Sequence, residues 1–161
     1  MNIAYQGVVP TIPPSVHDRS LRARMRRQER LTREPVLGLS VVMDEAVLLR
    51  RIGNHALMRA QLQHLVDATE LPNVDLRVLR LSQHPGLVSG SFVIMRFGSQ
   101  EEPEGVLGDV VSTESLAEEI YVEGETDTRL YSIFFDALRK SALPPEASRE
   151  LIVATVEREW S

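Results

Sequence analysis

Three ionisable side chains lie at positions where they could take part in acid–base chemistry. Asp44 follows an apolar run that predicts a buried strand, and α/β sheets commonly place ligands at the carboxyl ends of their strands. His84 lies in a Gly/Pro loop between two predicted strands, and histidine titrates close to neutral pH. Glu123 follows the predicted strand Ile120–Val122. We take these three residues as the candidate catalytic groups.

The same residues also have structural interpretations. Asp44 is a residue type that caps helices, and a short helical stretch is predicted to follow it. Its neighbour Glu45 is expected to pair with Arg50, Arg51 or an arginine within residues 19–33. The loop histidine could do no more than stabilise its turn. Both interpretations stay open at this point.

Other catalytic and metal-binding signatures are missing from the sequence. The four histidines show neither HxH nor HExxH spacing, and there is no G-x-S-x-G elbow, Gly-rich phosphate loop or dinucleotide fingerprint. The chain has no cysteine, which excludes disulfides, zinc-thiolate sites, iron–sulfur clusters and thiol catalysis. We therefore expect no metal and no cofactor, and the sequence leaves open whether the protein is an enzyme.

Apolar and aromatic side chains along the chain could line a hydrophobic pocket, since such pockets are mostly apolar with a few placed polar groups. The candidate lining residues are Met43, Met58, Phe92, Met95, Phe97, Tyr121, Tyr131, Phe134 and Phe135. The candidate polar members are Asp44, Arg96, Tyr121 and Glu123. At helix and strand spacing such residues more often belong to a core. The pocket interpretation predicts a hydrophobic small molecule as ligand.

Hydrophobic periodicity predicts the elements that position these residues. The predicted strands are Leu37–Met43, Val74–Leu81, Ser91–Phe97, Val106–Val111 and Ile120–Val122. A clear amphipathic helix over Asn54–Glu70 separates the first two strands, which indicates a parallel βαβ unit. We predict an α+β or α/β fold: a single domain with a mixed sheet of four or five strands, packed by two C-terminal helices.

The first C-terminal helix is expected to start at a Thr126 or Asp127 cap and to present one apolar face. That face comprises Leu130, Ile133, Phe134, Ala137 and Leu138. Pro144 and Pro145 separate it from the last helix.

The chain is predicted to divide into an irregular N-terminal arm, residues 1–17, and a single domain, residues 18–161. The arm is rich in proline, and an arginine-rich helix capped by Asp18 or Ser20 is predicted to follow it. Seven arginines lie within residues 19–33, where they could contact phosphates or form a solvated face. Without aromatic residues for base stacking, direct nucleic-acid binding is not expected.

Length and composition agree with one soluble domain. The chain has 161 residues, of which 43% are hydrophobic and 25% charged, and its net charge is −5. Residues 1–97 carry 13 basic and 8 acidic side chains, whereas residues 98–161 carry 5 basic and 15 acidic ones. No apolar run is long enough to span a bilayer or to act as a signal peptide. We expect a cytoplasmic protein without a membrane partner.

Seven sequence patches, in one order, resemble the C-terminal domain of unknown function that follows an Xre-type helix-turn-helix in many actinobacterial regulators, often described as antitoxin-like. The patches are Ala23–Thr32, Leu39–Leu48, Gly53–Leu65, Pro72–Leu81, His84–Phe97, Glu119–Glu123 and Phe134–Glu150. The resemblance implies oligomerisation, such as a homodimer, and binding of a small molecule or a protein partner.

The helix-turn-helix itself is not expected here, because only about 18 residues precede the matching region and that module needs several helices. We therefore interpret the chain as a free-standing domain that binds a small molecule or a protein partner. Two alternatives remain: a cofactor-independent cyclase or isomerase of a natural-product pathway, acting through an apolar pocket, and an antitoxin-like protein that binds a small basic toxin through its acidic half.

Overall fold

The computed structural model of the chain describes residues 14–83, 90–97, 108–114 and 119–160. These residues form five helices and five strands. The helices are α1 (Pro14–Glu29), α2 (Ala46–Leu49), α3 (His55–Ala68), α4 (Glu125–Ser141) and α5 (Pro145–Glu159). The strands are β1 (Leu39–Asp44), β2 (Val74–Leu79), β3 (Phe92–Met95), β4 (Val110–Glu114) and β5 (Glu119–Glu123). The α+β class and the two C-terminal helices are confirmed.

The five strands form two sheets, so the prediction of one mixed sheet of four or five strands is wrong. β1 and β2 pair in parallel across the predicted βαβ unit, whereas β3, β4 and β5 form a separate antiparallel sheet in that order. One reason lies at the outer edge of β2. There the Val78 carbonyl accepts a hydrogen bond from the Leu143 N–H at 3.0 Å, and the Val78 N–H donates to Ser148 Oγ at 2.9 Å. These contacts occupy backbone groups that a third strand would need.

Within the domain the residues cluster into two compact units. The first, here called the parallel-sheet unit, comprises Met1–Ser82 and Ala142–Ser161. The second, the antiparallel-sheet unit, comprises Gln83–Ser141. Each unit is described by itself below.

The parallel-sheet unit has a well-closed hydrophobic core. Its buried members are Leu48, Met58, Leu62, Val66, Leu76, Val78, Ile152, Val156 and Trp160. α3 contributes one residue per turn to this core, as its periodicity predicts, and the Asn54 side chain caps the helix by accepting from the Leu57 N–H at 2.8 Å. At the end of α5 the buried Trp160 indole donates to the Leu48 carbonyl at 3.0 Å. The polar edge of this large ring is therefore satisfied inside the core.

The antiparallel-sheet unit consists of three short strands with α4 packed on one face. Because strand side chains alternate, Phe92 and Val111 lie on the face that α4 covers, and Val111 is fully buried. On the helix, Leu138 is buried and Phe134 is half-buried. The helix presents the predicted apolar face, but only part of that face is buried. Its remaining members, Leu130, Ile133 and Ala137, are exposed.

The geometry of α4 explains this difference. Successive residues turn by about 100° around a helix axis, so the apolar residues of α4 span about half of its circumference. One face of a three-stranded sheet contacts only part of that arc, and the aromatic residues occupy that part.

α1 begins at Pro14, so residues 14–17 are helical and not irregular. Proline is well suited to the first turn of a helix, where its missing N–H would have no partner within the helix. The predicted caps Asp18 and Ser20 therefore lie inside the helix. Its thin apolar stripe, Leu21 and Met25, is exposed, as expected for a surface helix.

Candidate functional site

Asp44, the first candidate catalytic residue, is the last residue of β1. Its Oδ1 accepts a hydrogen bond from the Ala46 N–H at 2.7 Å, at the first turn of α2. The carboxylate therefore satisfies a backbone donor that has no partner within the helix. The contact gives Asp44 a structural role, although the N-cap residue of α2 is Glu45 and Asp44 precedes it.

Glu45 holds the ends of the two parallel strands together. Its Oε2 accepts from the Leu81 N–H at 3.0 Å and lies 3.4 Å from Arg80 Nε, while its own backbone N–H donates to Leu79. The predicted partners of Glu45, Arg50 or Arg51 or an arginine within residues 19–33, are therefore wrong. Parallel strands end at the same edge of a sheet, so the residues that follow β1 lie beside those that follow β2.

The other two catalytic candidates belong to other parts of the chain. His84 lies outside the described residues. Glu123 is the exposed last residue of β5 in the antiparallel-sheet unit, whereas Asp44 belongs to the parallel-sheet unit. The catalytic role of the three groups therefore stays a prediction.

The two methionines of the predicted pocket belong to the core of the parallel-sheet unit. Met58 is buried on α3, and Met43 packs against the same core from β1. Core packing is the second of the two interpretations that the sequence left open for these residues, and it holds for both.

Four aromatic rings meet between the antiparallel sheet and α4, and we call them the aromatic cluster. The Phe92 ring centroid lies 5.2 Å from that of Tyr131, 6.0 Å from that of Phe134 and 6.5 Å from that of Phe135. These distances and tilted geometries are those of favourable aromatic pairs. All four side chains are only half-buried. Three of the predicted ligand-binding residues, Phe92, Tyr131 and Phe134, therefore come together at a partly accessible apolar surface.

The remaining predicted pocket residues lie elsewhere on this sheet. Tyr121 and Met95 alternate with the residues that face α4, which places them on the opposite face of the sheet. Arg96 follows β3, and its Nε lies 3.5 Å from Asp109 Oδ2 in an exposed ion pair. Phe97 is exposed beyond the end of the strand. The aromatic cluster is thus smaller than the pocket that the sequence predicts.

The sequence analysis did not single out two residues that the structure shows to be central. Trp160 was missed because no periodic pattern extends to it, and Ser148 was missed because its partner in β2 lies 70 residues away. The exposed stripe on α4 did have a sequence signal: an apolar arc of about half the helix circumference is wider than one packed face requires.

No group of three or more histidine and carboxylate side chains in the described part of the chain is arranged to hold a metal ion. Among the described helices, none is long and apolar enough to cross a membrane.

Comparison with known proteins supplies a family but no activity. No curated protein and no solved structure matches the chain. One family model, described as a domain of unknown function, DUF5753, matches residues 3–154. Since that match covers nearly the whole sequence, the chain belongs to the DUF5753 family.

Proposed function

We propose that this chain is a sensory binding domain and that its antiparallel-sheet unit holds a hydrophobic small molecule against the aromatic cluster. The observation that carries the proposal is the incomplete burial of Phe92 and of the three rings on α4 that surround it. Covering apolar surface that water still reaches is favourable by about 25 cal/mol per Å². Small-molecule sites are lined in this way, by aromatic and aliphatic side chains with few polar groups.

The sequence resemblance supports the same role. It implies that domains of this kind bind a small molecule or a partner in Xre-type regulators, where a separate helix-turn-helix contacts DNA. A sensory domain of that kind needs a ligand site but no catalytic groups.

The contacts of the carboxylates favour binding over catalysis. Asp44 and Glu45 both accept hydrogen bonds from backbone N–H groups of their own unit. Such bonds position the chain at the end of the parallel sheet and leave less acceptor capacity for a substrate. The cyclase and the toxin-binding alternatives stay predictions, since no contact among the described residues favours either.

The proposal is tested by titrating the full chain with anilinonaphthalene sulfonate and then with a panel of apolar ring compounds, followed by NMR and by thermal unfolding. We expect saturable binding that shifts the resonances of Tyr131 and Phe134. A ligand at about 100 times its Kd should stabilise the folded state by about 2.7 kcal/mol. Well-dispersed amide resonances throughout the titration would show that the probe binds folded protein.

The variant Tyr131→Ala removes one ring of the cluster and should weaken binding. Leu130→Ala is the matched control, because Leu130 is the next residue on the same helix but is 63% exposed outside the cluster. Equal affinity of the wild type and Tyr131→Ala, or perturbations confined to the parallel-sheet unit, would contradict the proposed site.

A further inference from the structure

α4 carries a second apolar stripe on the side that does not face its own sheet. Leu130 is 63% exposed, Ile133 is 58% exposed and Ala137 is also exposed. Their spacing of three and then four residues is that of the a and d positions in a coiled coil. The helix is 17 residues long, or about 25 Å at 1.5 Å per residue, so the stripe occupies its central part.

Two side chains of opposite charge lie along one edge of this stripe. Arg129 precedes Leu130 in the chain, and Asp136 precedes Ala137, so the two charges are seven residues apart and occupy equivalent positions beside the stripe. Both side chains are exposed, and neither has an ion pair or hydrogen bond in the part of the chain that the structure describes. A separation of seven residues is about 10.5 Å along a helix, too far for the two to pair with each other.

We propose that the outward stripe of α4 is the contact surface for α4 of a second copy of this chain, with the two helices antiparallel. A twofold axis near the middle of the stripe then brings Arg129 of each copy opposite Asp136 of the other. The arrangement forms two identical ion pairs and covers Leu130 and Ile133 of both copies. Charge complementarity favours a second copy as the partner. Each α4 carries one Arg129 and one Asp136, so two copies related by a twofold axis supply both charges of both ion pairs.

The contact is expected to be weak. Stable complexes bury about 800 Å² on each partner, and a single pair of helices with two large apolar residues each supplies less than that. The dimer should therefore form only at high protein concentration. The proposal does not depend on the small-molecule site, because it uses Leu130, Ile133 and Ala137, whereas the aromatic cluster occupies the adjacent, sheet-facing part of α4.

The test is sedimentation equilibrium of the full chain at protein concentrations up to about 1 mM, which detects even weak association. Arg129→Asp places two acidic groups on each copy, and Asp136→Arg places two basic groups on each copy. Either variant alone should associate about tenfold more weakly than the wild type, because both ion pairs become repulsive. An equimolar mixture of the two variants should recover wild-type affinity as a heterodimer.

Recovery to the wild-type affinity, and not above it, indicates the antiparallel arrangement. In a parallel arrangement Arg129 would face Arg129 and Asp136 would face Asp136 in the wild type, so the mixture would associate more tightly than the wild type. Ile133→Glu, which places a charge in the middle of the stripe, should abolish association. Circular dichroism and thermal unfolding of each variant would separate loss of association from loss of folding. A wild-type chain that stays monomeric at the highest concentration, or a dimer that none of the three substitutions affects, would overturn the proposal.

Discussion

Two isoleucines, one on each C-terminal helix, show that the two units differ in how much of their apolar surface is buried. Ile152 on α5 is fully buried, whereas Ile133 on α4 is 58% exposed. The helices have similar lengths of 15 and 17 residues, so length does not explain the difference. α5 packs against α3, β2 and α2, whereas α4 packs chiefly against one face of a small antiparallel sheet among the described elements. The number of packed neighbours, and not residue type, decides which apolar side chains leave water.

This comparison agrees with a division of roles within the chain. The parallel-sheet unit satisfies its buried polar groups and closes its core around Trp160. The antiparallel-sheet unit keeps apolar side chains accessible both in the aromatic cluster and along the adjacent outward part of α4. Accessible apolar surface is where ligands and partners bind. We therefore expect substitutions in the first unit to change stability and substitutions on α4 to change binding.

The largest difference in the free energy of unfolding is expected when each of the two isoleucines is replaced by alanine in turn. Ile152→Ala should lower the free energy of unfolding by about 2–5 kcal/mol, because it leaves a cavity in a closed core. Ile133→Ala should change it by less than about 0.5 kcal/mol, because that side chain is largely in water already. Urea unfolding of dilute protein, followed by circular dichroism, measures both. Trp160 is the only tryptophan, so its fluorescence reports the parallel-sheet unit alone. Similar losses of unfolding free energy for both variants would contradict the conclusion that the two helices differ in burial.

An intermediate effect is expected at the outer edge of β2. Ser148→Ala leaves the buried Val78 N–H without its acceptor and removes the donor to the Leu143 carbonyl, so we expect a loss of about 1–3 kcal/mol. Ser141→Ala is the matched control, because that hydroxyl donates to Ala137 on the exposed part of α4. The control should stay within about 0.5 kcal/mol of the wild type. Equal effects of the two substitutions would show that the Ser148 bonds contribute little to closing the parallel-sheet unit.

The smallest effect is expected at the end of β1. Asp44→Ala removes the acceptor for the Ala46 N–H and should lower the free energy of unfolding by about 1 kcal/mol. Asp44→Asn keeps a side-chain oxygen and should retain most of that stability. The Trp160 fluorescence transition in urea measures both. Full stability of Asp44→Ala would contradict the capping role and would reopen the catalytic interpretation of this carboxylate.

The parts of the fold that could be predicted follow from local sequence patterns, such as the spacing of apolar residues within one segment. The helix α3 and its buried Met58 and Leu62 follow from spacing within one segment, and the structure confirms them. The partner of Glu45 could not be predicted in the same way, because it depends on the register between β1 and β2. The separation into two sheets depends on Leu143 and Ser148, which reach the edge of β2 from a distant part of the chain.

The candidate site shows the same limit. The sequence identified the aromatic residues of the cluster, because aromatic side chains are recognisable wherever they occur, but it also grouped them with Met43 and Met58, which belong to the other unit's core. It placed Leu130 and Ile133 on one apolar face with Phe134 and Leu138, because apolar periodicity shows how wide an apolar arc is but not how much of it is packed.

By itself, the sequence determined the α+β class, the βαβ unit, the two C-terminal helices and the absence of thiol chemistry, since these follow from composition and local periodicity. Only the tertiary structure decided which apolar surfaces are closed and which stay open. That outcome depends on contacts such as Trp160 with Leu48, which are 112 residues apart, and on how much of α4 the antiparallel sheet covers. Whether a side chain is buried depends on the residues that pack around it, and the sequence does not show which residues those are.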